Sequence, residues 1–326
     1  MRKLLLGTTA LAAATAMSAS ALADVSIAGS YEFKYKSESS QVASKDGTTM
    51  SHGDTDMVFT FTNKTDSGLT LSYRYDFTGA IGDGGTQTVD ENSLAISGGF
   101  GKIVLGQDDD AADSYNIDEM DLPTEEPGST FASATIGSSS SIASTDAMKV
   151  AYHLPAMGGL TAGVSFADSG TNTGTDKTSM GAKYSMEPGG AAITLGYATQ
   201  TTEATTKDTD ETNMGVKVVS GDLSLIVSQG TKEAVDEDID NQGASISYKM
   251  PNGMTVAAYT FKSEDALDAG EELSRSGAEV AYSIASGLTA VVNVEDYDYK
   301  VGTNRDGAST VSDNGTVTQL TLKASF

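Results

Sequence analysis

Apolar and polar residues alternate with a period of two along most of the chain, the pattern of β-strands with two unlike faces. The first run places Val25, Ile27, Gly29, Tyr31, Phe33 and Tyr35 on one face and Ser26, Ala28, Ser30, Glu32, Lys34 and Lys36 on the other. Asp56–Asn63 and Gly68–Thr78 follow, with Met57, Phe59, Phe61, Leu69, Leu71, Tyr73, Tyr75 and Phe77 on the apolar face. Continued to Thr316–Phe326, the alternation predicts sixteen strands.

The connections alternate in length. Short turns rich in Gly, Pro, Asn and Asp are expected at Asn63–Gly68, Ser97–Gly101, Leu154–Gly159, Met186–Gly190, Ser220–Asp222, Met250–Gly253 and Ile284–Gly287, as tight hairpins require. Between them lie longer polar segments, from Ser37–Gly53 to Tyr297–Gly315. An even number of antiparallel strands, with short turns at one rim and long loops at the other, describes a transmembrane β-barrel. A β-sandwich would alternate in the same way, so alternation alone does not separate the two. Strands of about 9–11 residues, the length that crosses a bilayer when tilted, favour the barrel. No repeat of 20–50 residues points to a β-helix or solenoid array.

Residues 1–23 read as a secretory signal peptide, with Arg2 and Lys3, an apolar Leu4–Ala16 and the small-x-small Ala21-Leu22-Ala23 before Asp24. Cleavage is expected between Ala23 and Asp24, leaving residues 24–326 as the barrel. The chain has 20 Lys+Arg against 45 Asp+Glu. Without Arg2 and Lys3 the balance is 18 against 45, a formal charge of −27. Such a chain repels nucleic acid and attracts cations. With no cysteine, neither a disulfide framework nor a thiolate metal site can form.

One stretch breaks the alternation. Residues 108–147, expected as the third long loop, hold nine carboxylates from Asp108 to Glu126 and no Lys or Arg in that interval. A structureless segment of this length is usually functional or disordered. If the apolar parity faces lipid, the polar parity lines a lumen, and Lys34, Lys36, Arg74, Lys102, Lys149, Lys183, Lys217, Lys249 and Lys323 all fall on it. An acidic loop folded into that lumen gains basic partners and sets a transverse field across a water path. Aromatic residues from Tyr31 to Phe77, with Phe166 and Tyr197, share the lipid parity near strand ends, as an interfacial girdle would. Two histidines, His52 and His153, and no cysteine leave no catalytic set, and no enzyme activity is expected. Asp108, Asp109 and Asp110 gather oxygen ligands of the kind Ca²⁺ takes, without the ordered spacing of a calcium loop, so no metal or cofactor is assigned.

The mature start Asp24–Gly29 (Asp-Val-Ser-Ile-Ala-Gly), Phe100-Gly-Lys-Ile-Val-Leu-Gly-Gln to Gln107, the acidic third loop and the end Leu320-Thr-Leu-Lys-Ala-Ser-Phe326 together resemble a Gram-negative general porin, more closely the alphaproteobacterial Rhodobacter-type porins. The resemblance covers the whole mature chain. It implies an outer-membrane homotrimer of sixteen-stranded barrels among lipid and lipopolysaccharide, passing small hydrophilic solutes and ions. It also implies an inward third loop facing a basic wall. The acidic side is best matched by Asp108, Asp109, Asp113, Asp118, Glu119 and Asp121, the basic side by Lys34, Lys36, Arg74 and Lys102. Phe326, with Leu322 and Leu320, resembles the signal read by the barrel assembly machinery. Arginine is scarce, limited to Arg74, Arg275 and Arg305 after residue 23, so the wall is expected to be less cationic than in many general porins and the pore to prefer cations. The alternatives are a substrate-selective channel, which would show aromatics on the lumen parity (none is expected), and a secreted β-rich adhesin, which would dissolve without detergent.

Overall fold

The polar parity of each strand turns inward and the apolar parity turns outward, the reverse of a water-soluble sheet. Val227 is 64% exposed and Met214 51%, whereas Ser228 is 4% exposed and Asn213 and Glu295 0%. A sheet that shows its hydrocarbon and hides its polar groups is at equilibrium only in lipid, and only when it closes so that no edge is left unpaired. Closure is what the computed structural model has. It describes residues 24–53, 55–79, 88–125, 139–140, 142, 144–168, 175–268, 270–301 and 312–326. The expected signal peptide with Ala23, and Glu126 and Arg305, lie outside the described residues.

The strands are β1 (Asp24–Ser40), β2 (Gly47–His52), β3 (Asp56–Lys64), β4 (Thr70–Thr78), β5 (Thr88–Gly98) and β6 (Gly101–Gln107), then β7 (Met148–His153), β8 (Leu160–Ala167) and β9 (Lys177–Met186). They continue as β10 (Ala192–Thr202), β11 (Thr209–Ser220), β12 (Leu223–Glu233), β13 (Asp238–Lys249), β14 (Met254–Asp265), β15 (Glu272–Ala285), β16 (Leu288–Lys300) and β17 (Asp313–Ser325). From β3 onward each pairs antiparallel with the next, and β17 pairs back with β1, Tyr35 opposite Leu320, to close the ring.

The ring has sixteen positions but seventeen segments. β2 and β3 share one edge of β1: His52 to Gly47 pair with Phe33 to Glu38, and Thr62 to Met57 pair with Asp24 to Gly29. The expected loop Ser37–Gly53 is therefore mostly strand, and only 41–46 connects β1 to β2. β2 (Gly-Thr-Thr-Met-Ser-His) is too polar to alternate, which hides it in the sequence. The second position is interrupted at Gly53, where a side chain would strike Glu32 and Lys34.

The rim is uneven. β13 to β17 run 12 to 14 residues, whereas β6, β7 and β8 have seven, six and eight. Outward aromatics touch one another along β3 and β4, where Phe59–Phe77, Phe61–Tyr73, Tyr73–Tyr75 and Tyr75–Phe77 have centroids 6.1, 6.0, 6.4 and 4.7 Å apart. Others, Phe166, Tyr184, Tyr248 and Tyr282, are exposed near strand ends elsewhere around the ring. The expected absence of lumen-facing aromatics is overturned. Tyr259, Phe261, Tyr297 and Tyr299 point inward from β14 and β16, buried to 4% exposure or less. They fill the tall side of the barrel around the buried pair Arg275–Glu295 (2.7 Å), which also takes the Tyr259 hydroxyl at 2.6 Å.

Candidate functional site

After β6 the chain turns into the barrel and runs along its inner wall. A short helix α1 (Ala111–Tyr115) lies against β7 to β10, and a 3-10 turn at Glu119–Asp121 against β12 to β14. What admits the backbone so close is a row of small residues on the inward parity of adjacent strands. Gly163 pairs with Gly181 and Gly196 with Gly215, and Gly215 and Gly243 both pair with Ser228. A Cβ at Gly163 or Gly181 would press on Tyr115, at Gly196 or Gly215 on Ile117, at Gly243 on Glu119. The wall is notched, and the loop lies in the notch. An isolated glycine inside a strand marks close backbone approach; on the polar parity, these were the legible trace of the loop's path.

Three sets of contacts hold it. At the root, Ala111 and Ala112 N–H donate to Ser165 Oγ and Ser179 Oγ at 2.9 and 3.1 Å. Asp110 there takes Lys149 at 2.8 Å and Lys177 at 3.1 Å, with the Lys149 and Asp110 side chains 0% and 1% exposed. In the middle, Asn213 brackets the peptide of Ile117, and the buried Glu119 carboxylate accepts from Ser140 Oγ at 2.7 Å and Ser228 Oγ at 2.9 Å. At the far end, Glu279 of β15 accepts from Thr124 N–H, Thr124 Oγ1 and Glu125 N–H at 2.9, 2.7 and 2.9 Å. Glu125 itself reaches Lys34 at 3.1 Å and Lys323 at 2.5 Å. Buried carboxylates are tolerated when their oxygens are satisfied: Asp110 and Glu125 by lysines, Glu119 and Glu279 by hydroxyl and backbone N–H donors.

The six acids of the expected acidic side divide by orientation. Asp109, Asp113 and Asp121 are exposed to the lumen, with Asp108 half-buried beside them. None of these four forms an ion pair with a described residue. Asp118 is buried and caps the 3-10 turn by accepting from Met120 N–H at 2.7 Å, and Glu119 is an anchor. Asp113 reaches water, yet the wall around it removes bulk solvent. That burial first, and Asp109 second, push its carboxyl up to about 6, with Lys183 pulling the other way.

The four residues of the expected basic side are not a free cationic wall. Lys34 is 3.2 Å from Glu32 as well as bound to Glu125, and Lys36 is 3.7 Å from Glu38. Arg74 pairs with Asp76 at 2.6 Å and with Glu91. Lys102 alone of the four pairs with no described carboxylate; it sits low on β6, opposite His153 of β7. The cluster of Asp108, Asp109 and Asp110 does not assemble, because Asp110 is occupied by its lysines. Glu91 stands with Asp108 and Asp109 instead, one oxygen of each within 4.8 Å of the others. Arg74 is ion-paired with Glu91, and we assign no resident metal there.

A ring of sixteen strand positions, hydrocarbon outside and a charged strap inside, is an architecture with known examples. No curated protein sequence matches the chain significantly. Among solved structures, the anion-selective porin from Comamonas acidovorans superposes with a TM-score of 0.69 at 14% identity, covering 94% of this chain and 100% of that one. OmpT, an outer membrane protein of Vibrio cholerae solved in a trimer form, gives 0.66 at 16%, covering 93% and 99%. A mutant of the Rh. blastica porin gives 0.66 at 16%, covering 93% and 100%. At such identities these likenesses establish the fold. The Gram-negative porin family model matches residues 7–303. With the inside-out barrel and the loop across its lumen, the conclusion is that this chain belongs to the Gram-negative porin family and is a channel of the outer membrane.

Proposed function

We propose that the pore passes small hydrophilic solutes by diffusion with a preference for cations. The observation that carries this is the imbalance at the level of the loop, since the lysines without ion-pair partners among the described residues lie nearer the short turns. Asp108, Asp109, Asp113 and Asp121 face water without ion-pair partners among the described residues, while Lys34, Lys36 and Arg74 stand beside their own carboxylates. Unpaired carboxylates in a narrow, low-dielectric passage concentrate cations and exclude anions. The Comamonas porin is described as anion-selective; this chain's charges favour the opposite sign. A substrate-selective channel is less well supported, because the inward aromatics are buried in the wall and offer a solute no surface to slide along.

The functional unit we propose is a homotrimer. Supporting this, the outward face of β3 and β4, strands of nine residues each, carries a strip of mutually contacting rings that differs from the mostly aliphatic exterior elsewhere. The related OmpT was solved as a trimer.

Single-channel recording across a KCl gradient tests the reading. Stepwise openings with a cation-sign reversal potential are expected, and the potential should move toward zero in the D108N/D109N/D113N variant. Folded protein that gives no steps would overturn the pore; steps with an unmoved potential would overturn the role of these acids.

A further inference from the structure

The charges in the lumen are sorted along the pore axis as well as around it. Most ion pairs occupy the middle and long-loop levels of the barrel; at the short-turn end Lys323 is held by Glu32 and Glu125, while five lysines form no ion pair with any described residue: Lys64, Lys102, Lys183, Lys217 and Lys249. All five are at the short-turn end. Lys64 and Lys249 close β3 and β13, Lys102 is the second residue of β6, and Lys183 and Lys217 lie three residues before the ends of β9 and β11 at Met186 and Ser220. The carboxylates at that end are Asp24 on the first strand residue and Asp66, Glu187 and Asp222 in the turns, at the outer edge.

Lys183 and Lys217 matter most, because they stand deepest and lie under the loop. Lys183 pairs across the sheet with Gly196, and Gly196 with Gly215, the two glycines on which Ile117 rests. Lys217 is one inward-facing step beyond Gly215 on the same strand. A step of two strand residues is about 6.6 Å. The acids of the loop and the lysines of the wall therefore form two layers, negative toward the long-loop rim and positive toward the short turns, close enough for Lys183 to act on Asp113. On this side of the pore that layering adds an axial component to the transverse field expected from the sequence.

We propose that this bipolar stacking makes the pore a rectifier, an inference that rests on the channel reading above. The outer layer holds cations as its mobile ions and the inner layer holds anions. With the long-loop side positive, cations enter through the acidic layer and anions through the basic layer, and both accumulate where the layers meet, so current is high. With the polarity reversed, both are drawn out of that junction and it is depleted, so current falls. Because the layers act through unscreened field, the effect belongs to low salt: the Debye length is about 10 Å at 0.1 M and shrinks to about 3 Å at 1 M.

The test is the current–voltage curve of single channels in KCl, with orientation reported by a cysteine introduced at Lys207 on the long-loop side and labelled from one chamber. The chain has no cysteine of its own. Potentials of several kT are ordinary in charged clefts, so about a twofold higher current with the long-loop side positive is expected at 0.1 M KCl, and none at 1 M. K183Q/K217Q should abolish the asymmetry while making the pore more cation-selective. D109N/D113N should abolish it while making the pore less so, which separates the two layers even if one variant folds poorly. Open channels with symmetric curves at low salt, or asymmetry untouched by both variants, would overturn the inference and leave the pore itself standing. Folded protein without openings would instead overturn the channel reading.

Discussion

Asn213 of β11 treats Ile117 of the loop as a neighbouring strand: its Oδ1 accepts from Ile117 N–H and its Nδ2 donates to Ile117 C=O, both at 3.1 Å. The same Nδ2 donates to Ser140 C=O at 2.8 Å, and the residue is fully buried. A peptide that has left the sheet and lies inside a barrel must find partners for its backbone or lose about 1–3 kcal/mol for each group left dry. One amide side chain on the wall supplies both. Asn213→Ala should therefore destabilise the middle of the loop by roughly that much per orphaned group. The barrel should still form, seen as the usual heat-dependent shift in gel mobility, while limited proteolysis within 108–147 becomes faster and channel current noisier.

The glycine notch makes a steric prediction. Gly215→Val would drive a side chain into Ile117, an overpacking that costs about 1–3 kcal/mol. The loop, held by fewer contacts than the barrel, should be what yields. Conductance should rise as the strap lifts from the wall, whereas Val at the exposed Gly99, where a side chain meets open space away from the loop, should leave conductance unchanged. Equal conductance in both would show that the notch does not set the pore's width.

At the root, Lys149 and Asp110 are a buried pair, and removing one partner of such a pair costs about 3–5 kcal/mol. Lys177 shares the carboxylate, so Lys149→Met should lose less than that, and the double change with Lys177→Met more than the sum of the two. Thermal unfolding of the detergent-solubilised barrel measures this coupling.

Asp113 gives the pore a pH dependence of defined sign. With its carboxyl pushed up to about 6, it is charged at pH 8 and neutral at pH 5. Cation selectivity should fall as pH drops through that value. In Asp113→Asn the change in selectivity near pH 6 should be smaller than in the parent protein. An undiminished change would assign it to another group.

Phe61 and Tyr73 test the trimer face. Truncating aromatic anchors in a buried interface commonly costs about 2 kcal/mol or more each, so F61A/Y73A should convert trimers to monomers in native gels without loss of β-structure. At the other seam, Phe326 N–H donates to Gly29 C=O at 2.9 Å while its ring is 85% exposed. Deleting it removes little from the finished barrel, so assembly in cells should fall while refolding from denaturant into detergent stays intact.

The sequence alone determined the barrel. Period-two alternation is a local property, because a strand between lipid and water must change polarity at every residue, and hairpin turns carry their own chemistry in Gly, Asn and Pro. It determined the acidity of the loop as well, since composition needs no coordinates. The tertiary structure decided where each charge sits relative to the others. Lys34 and Arg74 look like free cations along the chain. They are neutralised by Glu32, Glu125, Asp76 and Glu91, brought there by sheet register, a bulge in β4–β5 and the far end of the loop. Lys183 and Lys217 look no different in sequence, yet register leaves them without a described partner beneath the loop. Charge pairing falls off over a few ångströms, whereas partners such as Glu125 and Lys323 are far apart in sequence. Only the closed ring, in which the last strand meets the first, brings them within reach.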